Sequence, residues 1–275
     1  MAVPGSVVDA FGLRGAGEKL EGGLAAAFRF GDTVVKPVGD AAEAAYVADV
    51  MARVEVDQAA VRVARPVPAA HGGWVVDGWA ASEWVAGRPR RSGHPWSAAL
   101  DALAALHDGL QPFPRDDVLD DRDHAWAVAD RFAWGEASTT LNPGIERLVT
   151  MVRAHERPCA STSQLIHGDV FSNLLFEESL PPAAIDFSPY WRPATWSKAI
   201  YLVDAIGWGG EDQRLLDLSD RSELSDQLLL RAVVFRLVAA DGYRRDDGIG
   251  VEPHLARYES MVNIIVSHIE RRVSG

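Results

Sequence analysis

Short β-prone apolar runs dominate the first third of the chain, and apolar residues at helical spacing dominate the rest. Residues 7–13 read as a short helix. Residues 27–30 and 33–36 flank a Gly31-Asp32 pair, the pattern of a tight hairpin. Residues 41–54 read as a helix with Val47, Val50, Met51 and Val54 on one face, and residues 61–67, 74–79 and 82–85 as strands. Gly and Pro then concentrate in residues 87–95 (GRPRRSGHP), a breaker-rich connection. Helical spacing follows at 96–110, 123–134, 145–155, 195–208, 222–240 and 252–273, interrupted by one strand-rich island at 164–187. The expected architecture is α+β: a small β-rich lobe over residues 1–86 and a larger, mainly helical lobe over 87–275 with an embedded hairpin. A cleft between two such lobes is a common ligand site.

Composition narrows the picture. With 275 residues, 48% hydrophobic and 24% charged, the chain can build a large core and is not a disordered sequence. No apolar run approaches the ~18 residues of a membrane span, and the first six residues lack the basic and apolar regions of an export signal. Cys159 is the single cysteine, which excludes an intrachain disulfide and a thiolate zinc cluster. A reduced, cytoplasmic setting is expected. The net charge of −12 disfavours nucleic acid and anionic lipid as partners and is compatible with a cationic small molecule. Lysine is scarce, with only Lys19, Lys36 and Lys198, so a lysine in a special place stands out.

The island holds the candidate chemistry. It reads HGDVFSN over residues 167–173, then Leu174, Leu175 and Phe176, a turn, and Ala183, Ala184, Ile185, Asp186, Phe187 and Ser188. If 174–176 pairs antiparallel with 183–185, Asn173 and Asp186 flank one hairpin mouth, and Asp169 lies on the loop entering it. Such a hard-oxygen cluster suits Mg²⁺, which takes few protein ligands beside substrate phosphates. Asn173 is equally well explained as a turn residue. Asp169 and Asp186 abut apolar strand ends, where a bare carboxylate is costly, and this favours function. His167 reads as a packed histidine bonded to a backbone carbonyl rather than as a ligand or base. Lys36 ends the second strand of the first hairpin. Glu43 falls on the apolar stripe of the next helix, where a carboxylate needs a partner. Lys36 is the nearest candidate in sequence, so a Lys36–Glu43 pair aiming the ammonium at the cleft is expected.

HGDVFSN followed by IDFS resembles the catalytic loop and metal-binding motif of the aminoglycoside phosphotransferase-like, choline kinase-type small-molecule kinases, which share the protein-kinase-like bilobal fold. Gly22 and Gly23, Lys36, Glu43, a hinge near Glu83, Trp84 and Val85, and the helical remainder fall in that family's order, so the resemblance covers nearly the whole chain. It implies that Asp169 orients and deprotonates an acceptor hydroxyl, that Asn173 and Asp186 hold Mg²⁺ on ATP, and that Lys36, held by Glu43, contacts the phosphates. The chain departs from the family in three places. The Asp169-to-Asn173 spacing is one residue shorter than the commonest pattern, which demands a tighter loop. Ser188 replaces the glycine usual in protein kinases. Leu24 to Ala27 carry no hydroxyl, leaving backbone N–H groups for phosphate contacts. No GxxxxGK[ST] sequence is present.

Only about nine residues separate Asp186 from the helix near Thr195, short for a peptide-docking activation segment, so a small-molecule acceptor is expected. Tyr190, Trp191, Trp196 and Trp208 could face sugar rings or cations or pack the core. Asp204 reads as a brace for the catalytic loop. Two alternatives stand beside the kinase reading: a pseudokinase that binds nucleotide or a partner without turnover, and a metal-dependent hydrolase using His167 and the carboxylates. Oligomeric state and acceptor identity are left open.

Overall fold

The computed structural model describes residues 2–20, 26–89, 96–219, 222–246, 248 and 250–273. A short helix, α1 (Gly5–Ala10), and strand β1 (Glu18–Lys19) precede the expected hairpin of β2 (Phe28–Phe30) and β3 (Thr33–Pro37). Gly31 closes that hairpin at φ +60°, where a glycine costs nothing sterically. Helix α2 (Ala41–Arg53) starts at Asp40, whose carboxylate caps the Glu43 N–H at 2.7 Å. Strand β4 (Arg62–Val63) follows, then β5 (Val75–Val76) and β6 (Trp79–Glu83). The sequence presents 74–79 as one strand. It is instead a hairpin, because Asp77 and Gly78 both take positive φ, 48° and 75°, as a two-residue primed turn requires.

Strand β7 (Arg88–Pro89) lies inside the breaker-rich connection. Then come α3 (Trp96–Leu110), α4 (Ala125–Ala133), α5 (Pro143–Arg153), β8 (Gln164–His167), β9 (Leu174–Glu177), β10 (Leu180–Ala184) and β11 (Pro189–Arg192). Helices α6 (Ala194–Gly207), α7 (Glu223–Asp246) and α8 (Leu255–Val273) complete the chain, with 3-10 turns at Asp117–Leu119, Gln213–Leu218 and Glu252–His254. The short segment between Asp186 and the next helix carries a strand, β11.

The N-terminal sheet runs β1-β2-β3-β6-β5, and Val7, Phe11, Phe28, Val35, Trp79 and Ala81 form a small core there. A second sheet runs β4-β10-β9-β7, joining strands far apart in sequence. β4 pairs in parallel with β10, Arg62 opposite Ala183 and Val63 opposite Ala184. Arg62 reinforces the junction by donating to the carbonyls of Pro181 and Ala86, each at 2.9 Å. The apolar face of α2 does not rest on the N-terminal core: Val50, Met51 and Val54 belong to the large core of the helical part. α2 thus docks one edge of the cleft onto the helical mass. Among the described residues no helix is long and apolar enough to cross a membrane.

Candidate active site

The floor of the site is the two-stranded ladder of β8 and β11, which sets Pro189 opposite His167. The Gly168 N–H continues the ladder to the Ser188 carbonyl at 2.9 Å. Residue 168 must be glycine, since a Cβ there would sit 2.2 Å from Cδ2 of Tyr190. His167 is fully buried, and its Nδ1 faces two backbone N–H groups, those of Asp169 and Ser188, each at 3.3 Å. Nδ1 must then be the bare acceptor, so Nε2 carries the proton and donates to the Ile185 carbonyl at 3.1 Å. Burial lowers the imidazole's pKa and keeps it neutral. His167 is a staple between the two loops that carry Asp169 and Asp186, in line with the packing role expected of it. Beneath it, His107 Nε2 accepts the His167 N–H at 3.3 Å, and burial pushes the His107 pKa down to about 3.

The hairpin forms in the expected register, Ala184 opposite Leu174, and the Ile185 N–H reaches the Asn173 carbonyl at 2.9 Å. The short Asp169-to-Asn173 spacing is met by a tight turn, with the Asn173 N–H on the Val170 carbonyl at 2.9 Å. Asn173 Nδ2 donates to the Asp169 carbonyl at 2.7 Å and to Asp169 Oδ2 at 3.2 Å, which leaves its Oδ1 available. Asp186 sits at φ +50°, a left-handed conformation that aspartate tolerates better than most residues. Its Oδ1 accepts from Lys36 Nζ at 2.5 Å, with both side chains close to half exposed.

Lys36 and Glu43 do not pair. Lys36 is with Asp186, and Glu43 Oε1 instead meets Arg122 Nη1 at 3.1 Å, with His124 Nε2 at 3.8 Å from Glu43 Oε2. Proximity in sequence gave the wrong partner because α2 leans on the helical part, where Arg122 waits before α4. Arg122 also donates to the Pro189 carbonyl at 2.7 Å and lies over the Tyr190 ring. Burial lowers the His124 pKa against the pull of Glu43, and its Nδ1 caps α4 by accepting the Ala127 N–H at 3.2 Å.

Lys36, Glu43, Asp169 and Asp186 line one cleft of about 680 Å³, with Arg122, His124 and Trp126 on its far wall. Glu83 and Val85 are not on its lining, where Ala80, Ala81 and Ser82 stand instead. The N–H groups of Glu83 and Trp84 are spent on the carbonyls of Arg65 and Asp32, at 2.7 and 2.8 Å. Gly22 and Gly23 lie outside the described residues. The aromatic residues resolve into packing: Trp196 is fully buried against Trp134, Tyr190 and Phe235, and Trp208 meets Tyr258.

Sequence reasoning missed Arg236. Its Nε donates to Asp204 Oδ1 at 2.7 Å and its Nη2 to Asp169 Oδ1 at 2.9 Å, with a second, very short contact to Asp204 Oδ2. Asp204, expected to brace the loop of Asp169, reaches it only through Arg236. Burial raises the Asp204 pKa to about 6 against the pull of that guanidinium. The signal was there: an arginine inside the apolar run 232–240 must find a carboxylate.

A model described as the phosphotransferase enzyme family matches residues 21–190. The chain belongs to that family. No curated protein sequence matches this chain. Among solved structures it is similar to an aminoglycoside phosphotransferase from Alicyclobacillus acidocaldarius, at 15% identity and TM-score 0.58 over 94% of this chain and 93% of that one. It is also similar to a spectinomycin phosphotransferase in complex with ADP and spectinomycin, at 12% identity and TM-score 0.60 over 96% of each chain. A choline kinase from Streptococcus pneumoniae matches at 12% identity and TM-score 0.58, over 93% of this chain and 95% of that one. The fold is therefore that of the protein-kinase-like phosphotransferases, a β-rich N-terminal sheet and a mainly helical C-terminal part, as the sequence led us to expect.

Proposed function

We propose that this phosphotransferase moves the γ-phosphate of ATP to a hydroxyl of a small molecule. The observation that carries the reading is the convergence of Lys36, Asp186 and Asp169 on one cleft. Asp169 accepts the acceptor's proton and Lys36 faces the phosphates. Residues 1–86 form the lobe that covers the nucleotide, with the N–H groups at Gly22 and Gly23 as phosphate contacts. The hinge at Glu83 and Val85 follows, and residues 87–275 carry the catalytic loop.

A divalent cation fits the donor set. Asp186 offers a half-exposed carboxylate and Asn173 a free amide oxygen, hard donors suited to Mg²⁺. Among the described residues there is no group of three or more His, Cys, Asp or Glu placed to hold a metal, so phosphate oxygens and water must complete the shell. Bound there, Mg²⁺ supplies charge neutralisation on the phosphates, which with positioning is most of what phosphoryl transfer requires.

The acceptor class that fits the acidic chain is an amino sugar, an aminoglycoside-like compound or an amino alcohol, handled in the cytoplasm. ATP consumption over a panel of these acceptors tests the reading, with a Mg-ATP thermal shift as the binding control. One observation favours the rival reading, nucleotide binding without turnover: Lys36 contacts Asp186 directly while Arg122 holds Glu43. A Mg-ATP thermal shift with no ADP formed from any acceptor or from water would decide for the rival.

A further inference from the structure

A buried ion pair rarely earns its place by stability alone, because desolvation offsets most of the attraction. Arg236 lies on α7 among Val233, Val234, Phe235, Leu237 and Val238, all buried, and its own side chain is 7% exposed. Its fork on Asp204 is closed and complete. A pair serving packing would end there. Instead Nη2 makes a further bond to Asp169 Oδ1, on a side chain that is 43% exposed and faces the cleft.

The consequence for Asp169 is geometric. Oδ1 is occupied by the guanidinium, and Oδ2 is held at its edge by Asn173 Nδ2 at 3.2 Å. The carboxylate cannot rotate without breaking a charge-assisted bond on one side and an amide bond on the other. Each oxygen keeps a further lone pair, but Oδ1 is drawn down by a charged donor at 2.9 Å while Oδ2 carries only the longer, neutral amide bond at 3.2 Å, so Oδ2 is the more basic of the two.

We propose that Arg236, anchored on Asp204, is a positioning residue that selects Oδ2 of Asp169 as the atom receiving the acceptor's proton. The proposal rests on the phosphotransferase reading of the cleft. In that reaction the acceptor oxygen forms a bond to the γ-phosphorus of ATP. The bond from that phosphorus to the bridging oxygen breaks, its electron pair leaves with ADP, and the hydroxyl proton passes to Oδ2. Arg236 touches no reactant; it sets the angle at which Asp169 meets the hydroxyl.

The test uses the full chain with Mg-ATP, reading ADP formed with water or a panel hydroxyl as acceptor, and Mg-ATP affinity by calorimetry. Arg236→Lys keeps the charge but cannot bond both carboxylates as the fork does. It should lower kcat by ~10- to 100-fold, the scale of a small misplacement, with Mg-ATP affinity and KM for ATP within about twofold of wild type. In an Asp169→Asn background the same change should have almost no further effect. Arg236→Met with Asp204→Leu removes both buried charges at once. It should restore the melting temperature and leave kcat low. A purely structural role predicts the opposite, kcat restored with the melting temperature. Wild-type kcat in the double variant or in Arg236→Lys overturns the proposal, as does a parallel loss of kcat and nucleotide affinity. If wild-type protein neither binds Mg-ATP nor forms ADP, the phosphotransferase reading itself has failed, and the proposal falls with it. If wild type binds Mg-ATP and forms no ADP, turnover has failed, which also removes the proposal.

Discussion

Two ion pairs flank the cleft and behave as opposites. Lys36–Asp186 is half in solvent, at 39% and 47% side-chain exposure, and joins the N-terminal sheet to the hairpin end. Arg236–Asp204 is sealed inside the helical part, at 7% and 5%. In high dielectric the first pair is cheap to separate, and under the proposed function a nucleotide phosphate would take the ammonium from the carboxylate. The second cannot be separated without stranding a buried charge. One pair is built to yield and the other to hold, and Asp169 is tied to the one that holds.

The largest effect expected from breaking this contrast comes from the sealed side. Arg236→Ala should cost about 3–5 kcal/mol of folding stability by leaving Asp204 uncompensated, read by denaturant melts. A loss below 1 kcal/mol would mean that water reaches the pair and that the two sides do not differ. Next, Asp169→Asn should reduce transfer by about 10²-fold or more with Mg-ATP affinity preserved, whereas Asp186→Asn should weaken Mg-ATP binding itself. Equal loss of affinity in both variants would place Asp169 among the phosphate-side groups.

Acid should probe the buried side selectively. His107 stays neutral in the fold down to about pH 3, while in the unfolded chain it takes a proton below its ordinary value of 6.5. The unfolded state then binds the extra proton, so stability should fall by about 1.4 kcal/mol per pH unit below 6.5, or about 2 kcal/mol by pH 5. His167, shifted the same way, adds to the slope. Asp204 opposes it: its raised pKa contributes stability that is lost as pH rises through about 6. Comparing His107→Gln with wild type at pH 7 and pH 5 isolates the His107 share. Identical pH dependence in both proteins would remove it. The smallest effect belongs to the yielding pair. Lys36→Ala should change stability by less than about 1 kcal/mol while reducing transfer, and a large stability loss would show that this pair also holds.

What the sequence made legible was whatever lies within one local unit. Asn173 and Asp186 flank a single hairpin, so their convergence follows from strand pairing alone. The helices α2, α3 and α6 fall close to their expected limits because their apolar spacing is regular. The Gly31 turn was found and the Asp77-Gly78 turn was passed over, although Asp-Gly is a strong hairpin signal. Partners across the chain were not legible. Glu43 meets Arg122, 79 positions away, and Asp169 meets Arg236, 67 positions away. Such pairs depend on how helices dock, which no local pattern encodes.

The parallel join of β4 to β10 bears on how this molecule could be divided. A cut after residue 86 would sever the chain without severing the sheet, since Arg62 and Val63 would remain laced to Ala183 and Ala184. Apart, each piece would expose a raw strand edge hungry for its complement. Together, the same edges are a ready-made splice. Two co-expressed fragments broken at that point should find one another and rebuild the cleft from both sides, which makes the join a natural place to split the chain into a two-part reporter.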